Sequence, residues 1–131
     1  MTIQSNVRQP LKEALESIET VASVYTSYPE AAILPFVAII PAAPYITPNL
    51  IGRSAVRAKI NFALTLAVEP YDNESGLDNI EQLIVKVLAA LPTGYTVGDV
   101  SNPIPAVLQS GTDCIACEMF ISTQFTEEIG D

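Results

Sequence analysis

Val56-Arg57-Ala58-Lys59-Ile60-Asn61-Phe62-Ala63-Leu64-Thr65-Leu66-Ala67-Val68-Glu69 is the stretch on which the fold turns. In an extended chain Val56, Ala58, Ile60, Phe62, Leu64, Leu66 and Val68 fall on one side, and Arg57, Lys59, Asn61, Ala63, Thr65, Ala67 and Glu69 on the other. Alternation of period two over so long a run predicts a strand with one face buried and one exposed. At about 3.3 Å per residue it would extend roughly 40 Å, more than a small domain requires. Its overhang is expected to pair with something beyond the core.

Just upstream, Leu34-Pro35-Phe36-Val37-Ala38-Ile39-Ile40-Pro41 is apolar on both faces, which predicts a central buried strand bounded by prolines. Residues 41–54 carry Pro41, Pro44, Pro48, Asn49 and Gly52 beside Tyr45, Ile46, Leu50 and Ile51. Prolines break a ladder while the apolar side chains ask for burial, so this segment reads as a projecting arm, a long loop with a job. Ser23 to Tyr28 is β-branched and aromatic and ends at Pro29-Glu30, a short strand and turn.

Two helices flank this region. Val7, Leu11, Ala14, Leu15, Ile18 and Ala22 recur at three- and four-residue spacing, with Pro10 in the first turn and Asn6 or Ser5 able to cap, Gln9 reaching back to Asn6. Between Ser75 and Leu91 a second stripe of Leu77, Ile80, Leu83, Ile84, Val87, Leu88 and Leu91 opens on a Ser75/Asp78 capping box and ends at Pro92-Thr93-Gly94. Tyr95 to Val100 is a short strand, Asn102 to Gly111 a proline-bearing loop, and Cys114 to Phe125 a last strand facing Ile115, Cys117, Met119, Ile121 and Phe125 to the core. Residues 126–131 form an acidic tail expected to fray. The order is α-β-β-arm-β-α-β-β. It predicts a single α+β domain over residues 1–131, with a mainly antiparallel or mixed sheet of about five strands and both helices on one face.

Composition narrows the chemistry. The chain has 131 residues, 49% of them hydrophobic, enough for one continuous core. No apolar run approaches the roughly 20 residues of a membrane-spanning helix, and the polar Met1-Thr2-Ile3-Gln4-Ser5-Asn6 lacks a secretory pattern, so a cytoplasmic start is expected. Histidine is absent, which removes the commonest general base and transition-metal ligand. Fifteen acids against six bases leave a net charge of −9. Residues 69–131 hold eleven of those acids and a single base, Lys86. Such a surface repels phosphate backbones, so tight nucleic-acid binding is not expected.

The chemical motifs are thin. Cys114-Ile-Ala-Cys117 has redox spacing, but on a strand residues three apart face opposite ways, too far apart for a disulfide, so both are read as small core side chains. Asp72-Asn73-Glu74-Ser75-Gly76-Leu77-Asp78 echoes a calcium loop, yet Ile84 stands where the closing Glu belongs, and acids at a helix start ordinarily cap it. No catalytic residue, metal site or cofactor is expected. Arg53, Arg57 and Lys59 are the one basic cluster, placed to meet carboxylates of a neighbouring subunit.

The order of elements, Val24-Tyr25 with Pro29-Glu30, the Pro35 to Pro41 run, Tyr45-Ile46, Gly52, the long strand into Glu69-Pro70-Tyr71-Asp72-Asn73, Gly76-Leu77-Asp78 and the strand near Ala116 to Thr123 together resemble the tail terminator proteins of long-tailed bacteriophages and related neck and tail-completion proteins. The resemblance spans nearly the whole chain. It implies a structural virion protein made in the host cytoplasm. As a homohexameric ring it would cap the tail tube, contact the tube and head connector proteins, and let DNA pass without specific binding. Tyr45, Ile46, Leu50 and Ile51 would then touch the adjacent subunit or the tube, with Arg53, Arg57 and Lys59 fixing register. Two other readings stay open: a different neck, head-completion or tube role, or a small divalent-ion-dependent enzyme or ligand-binding domain using Asp72, Glu74, Asp78 or Asp99.

Overall fold

A computed structural model describes residues 7–26, 33–51, 55–69, 73–108, 111 and 113–128. The chain is α+β: α1 (Gln9–Glu16), β1 (Ser23–Tyr25), β2 (Phe36–Ile51), β3 (Ala55–Val68), α2 (Asn73–Ala90), β4 (Thr96–Val100), β5 (Ile104–Val107) and β6 (Asp113–Glu128). The strands form one six-stranded sheet in the order β1-β2-β3-β6-β4, with β5 also on β6. Only β1 with β2 is parallel; β2, β3, β6, β4 and β5 pair antiparallel. The sheet is therefore mixed.

β3 lies at the centre, and its alternation holds only in part: the face expected to be exposed is so at Arg57 and Lys59, while Ala63, Thr65 and Ala67 on that face are buried. Ile60, Phe62, Leu64 and Leu66 are fully buried on the helix side together with Val37, Ile39, Met119, Leu11, Leu15, Ile80 and Val87. Pairing with β6 is unbroken from Ala55↔Glu128 to Val68↔Ile115. Burying so many branched side chains, each worth roughly 1.5–3 kcal/mol, is what holds the helices to the sheet.

Three expectations are corrected. The segment 41–54 is not a loop-like arm as far as Ile51. It continues β2, pairing Pro41↔Phe62 and then Ile46↔Ile60 to Ile51↔Val56, with register shifts between Pro41 and Ile46 and between Pro48 and Leu50. Pro41, Pro44 and Pro48 are tolerated because β1 stops pairing at Ala38, leaving β2 an edge strand from there on. Bulges absorb the residues that the ladder cannot. The loop expected from Asn102 to Gly111 likewise contains β5, opposite Ile104↔Ala116 to Val107↔Asp113. β4 and β5 form one interrupted edge strand along β6, stitched at the break by Ser101, whose N–H donates to the Glu118 carbonyl while its Oγ accepts from the Glu118 N–H, both at 2.8 Å. Finally Thr126, Glu127 and Glu128 belong to β6 and pair with Arg57, Val56 and Ala55. Residues 129–131 lie outside the described residues.

The helices differ from expectation at their ends. α1 stops at Glu16, where Ser17 turns back and donates its N–H and Oγ–H to the Ala14 carbonyl. Gln9 donates to Glu13 along the helix at 3.3 Å, and Asn6 lies outside the described residues. α2 begins at Asn73, so Ser75 is inside it and no N-cap. Its buried stripe is Ile80, Leu83 and Val87, whereas Leu77 and Leu88 are exposed along with Val85. The helix is apolar around more than the arc the sheet can cover. Gly94, at φ +94, turns the chain into β4, and its carbonyl accepts from Thr123 Oγ1 at 3.1 Å. Among the described residues no helix is long and apolar enough to cross a membrane.

Candidate interaction surface

The two faces of the sheet are unequal. Both helices lie over the side of Val37, Ile60, Phe62 and Met119. The other side, built from β2, β3 and β6 residues out of phase with these, has no described helix on it. At its β1 end a small second cluster of Phe36, Ala38, Ala67 and Cys114 is closed over by Tyr25, Leu34, Ile40, Ala106, Leu108 and Ala116. Tyr25 meets Phe36 edge-on at 5.8 Å. Towards the middle, side chains become small or polar (Ala63, Thr65, Ser122) and leave Phe120 41% and Ile104 57% exposed.

Two hollows lie on this bare face. One of about 370 Å³ is lined by Ala42, Ala43 and Pro44 of the β2 bulge, Thr47, Lys59 and Asn61, and by Thr96, Gly98, Phe120 and Ser122. The Asn61 amide donates to Thr47 Oγ1 at 3.4 Å and ties β2 to β3 at its floor. The second, about 230 Å³, runs on along Ile40, Thr65, Ser101, Ile104 and Glu118. On the helix side a cleft of about 220 Å³ between α2 and the start of β2 is lined by Thr20, Glu69, Asn79, Gln82 and Lys86, with Lys86 Nζ donating to Thr20 Oγ1 at 3.5 Å.

The bulge also decides where the expected contact residues stand. Tyr45 turns onto its own sheet, its ring edge-on to Phe62 at 5.7 Å, and is half-buried. Ile46 is 44% exposed beside it. The backbones of Leu50 and Ile51 pair with Arg57 and Val56 near the end of the hairpin. Arg57 and Lys59 are exposed on the bare face. Arg53 lies outside the described residues, as does Asp72. Thus Lys59 joins the hollow, Tyr45 supports its rim from behind, and Phe120, Thr96 and Ser122 enter it without any signal in their own local sequence. Asp78 and Asp99 are exposed on separate elements, α2 and β4. Among the described residues no three potential metal ligands converge.

The two cysteines are free and face opposite ways, Cys114 in the bare-face cluster and Cys117 in the helix-side core. Burial, and then the Glu118 carboxylate, push the Cys117 thiol up to about 11. A thiol whose folded pKa is raised stabilises the fold below its unfolded pKa, and that contribution is lost as pH climbs through the folded value. Urea unfolding followed between pH 8 and 11 is expected to show stability falling above about pH 9, and Cys117→Ala is expected to flatten that fall. An unchanged slope in the variant would assign the alkaline loss elsewhere.

No protein-family model matches the chain, and no curated protein matches it.

Proposed function

We propose that the protein is a structural subunit with no catalytic role, which assembles through the bare side of its sheet into a ring, and that this ring terminates a phage tail tube and joins it to the head connector. One observation carries the assembly: a sheet whose central strand is about 46 Å long (14 residues at 3.3 Å each) while its helices cover one face only. β2, β3 and β6 run on together past the last pairing of β1 at Ala38 and of β4 at Ser122. A three-stranded extension with an open face is a costly thing for a monomer to expose and an ordinary thing for an assembling subunit to bury. The order of elements and the sequence landmarks supply the tail-terminator part of the reading.

The acids after residue 68 line the lumen in this reading and keep passing DNA from adhering. A ring with those carboxylates on its outer wall would end that part. The test of the whole is absolute mass by light scattering over a hundredfold concentration range, with images, alone and with purified tail tubes. A discrete ring of about six copies seated on tube ends is the expected result. A monomer at every concentration that also ignores the tubes would overturn the reading, and a subunit present in many copies along the tube would make it a tube protein instead.

A further inference from the structure

The helix-side cleft, unlike either bare-face hollow, holds both signs of charge over an apolar floor. Asn79, Gln82, Leu83 and Lys86 line it from one face of α2, where residues three and four apart are neighbours. Leu83 and Val68, each 4% exposed, make the floor. Glu69, the residue after β3, puts a carboxylate on the strand-side wall. Lys86 Nζ is drawn instead to Thr20 Oγ1, at 3.5 Å. Among the described residues Lys86 and Glu69 form no ion pair, and the side chains of Glu69, Asn79 and Gln82 have no hydrogen-bond partner. A cation and an anion that share a cleft without neutralising each other, beside two unspent amides, suit a ligand that carries both charges.

We infer that this cleft binds a small zwitterion of the size of a free amino acid, its carboxylate on Lys86 and Thr20 and its ammonium on Glu69. The Thr20 hydroxyl accepts from Lys86 and so keeps its own O–H to donate to that carboxylate. Bonds between charged partners are the strong contacts of such a site. The Asn79 and Gln82 amides take further polar groups of the ligand, and Leu83 and Val68 take its carbon skeleton. Size sets the class. At about 220 Å³ the cleft has room for about seven waters of roughly 30 Å³ each, below the roughly 300–1,000 Å³ of pockets for larger ligands. The cleft lies on the helix side of the sheet, away from the bare face, so it stays open in a monomer or a ring. The inference therefore does not rest on the ring reading.

Saturation-transfer NMR on the full chain tests it, because the signal is read on the ligand and does not depend on the protein's assembly state. Each free amino acid is added in turn up to about 10 mM, and at least one is expected to take up saturation in a titration that reaches a plateau. E69Q and K86M are each expected to weaken that binding about tenfold or more, K86M keeping an apolar stem of similar length. The same ligand stripped of its ammonium, or of its carboxylate, is expected to bind the wild type about tenfold more weakly as well. Urea midpoints report whether each variant folds. Q82A, at an exposed helix position, is expected to weaken binding about threefold and serves if a charge variant does not fold. A wild type that binds none of the amino acids would overturn the inference, as would binding that survives both E69Q and K86M. Equal binding of the ligand without its ammonium, unchanged in E69Q, would overturn the zwitterion and leave a site for carboxylates alone.

Discussion

Phe62→Ala is expected to lower the free energy of unfolding by about 3–5 kcal/mol, measured as a shift of the urea midpoint at unchanged slope. Phe62 is fully buried near the middle of β3. It pairs with Pro41 on one side and Ile121 on the other, and its ring takes the edge of Tyr45 at 5.7 Å. Truncation removes the transfer energy of the ring and leaves a void that the strands on both sides, fixed by their ladders, cannot close. It also releases Tyr45, which holds the β2 bulge against the sheet, so the rim of the bare-face hollow formed by Ala42, Ala43 and Pro44 loses its backing. Against a typical total of about 5–15 kcal/mol the loss is large enough to unfold much of the population on mild heating. Assembly should partly restore it, because a ring binds only the folded state. Phe120→Ala, on the opposite face, is the control and should cost the monomer about 1 kcal/mol or less. A cost below about 1.5 kcal/mol for Phe62→Ala would mean that the bulge, not the ring, fills this site.

How far the sequence was legible depends on which edge a residue faces. The β3 alternation marks the strand and its helix-side face, because a period of two over fourteen residues has no competing explanation, but it does not foretell that Ala63, Thr65 and Ala67 on the other face are buried as well. The β2 extension and β5 read as loops for a shared reason: Pro41, Pro44 and Pro48 in one and Pro105 in the other are ladder breakers by sequence, yet each sits on a strand with a sheet neighbour on one side only. A proline is forbidden where two ladders need its missing N–H and harmless where one does. Sequence cannot distinguish these before the strand order is known. The same dependence hid most of the hollow. Lys59 and Arg57 announced themselves as a basic cluster, whereas Thr47, Thr96, Phe120 and Ser122 come from β2, β4 and β6 and meet only because β6 inserts between β3 and β4. In α2 the pattern overshot instead. Leu77 and Leu88 fit the apolar stripe but lie outside the arc the sheet can reach.

Phe120→Asp separates folding from assembly more sharply than any core substitution. The side chain is 41% exposed on the bare face, in the lining of the larger hollow, and no described helix covers it. Replacing it removes little that the monomer uses; the cost there is set by the poor strand propensity of Asp, about 1 kcal/mol or less. In an assembled ring the same ring of carbon would sit at the centre of a desolvated contact, where an aromatic anchor carries about 2–4 kcal/mol and a buried carboxylate adds its own desolvation. The concentration at half-assembly is therefore expected to rise by about thirtyfold to a thousandfold, while the urea midpoint of the monomer barely moves. Phe120→Leu, which keeps an apolar side chain, should retain most of the assembly. If Phe120→Asp assembles at the wild-type concentration, the bare face is not the contact. The exposed Val85 and Leu88 on α2, away from that face, then become the next surface to substitute, since they too are large apolar side chains left in water.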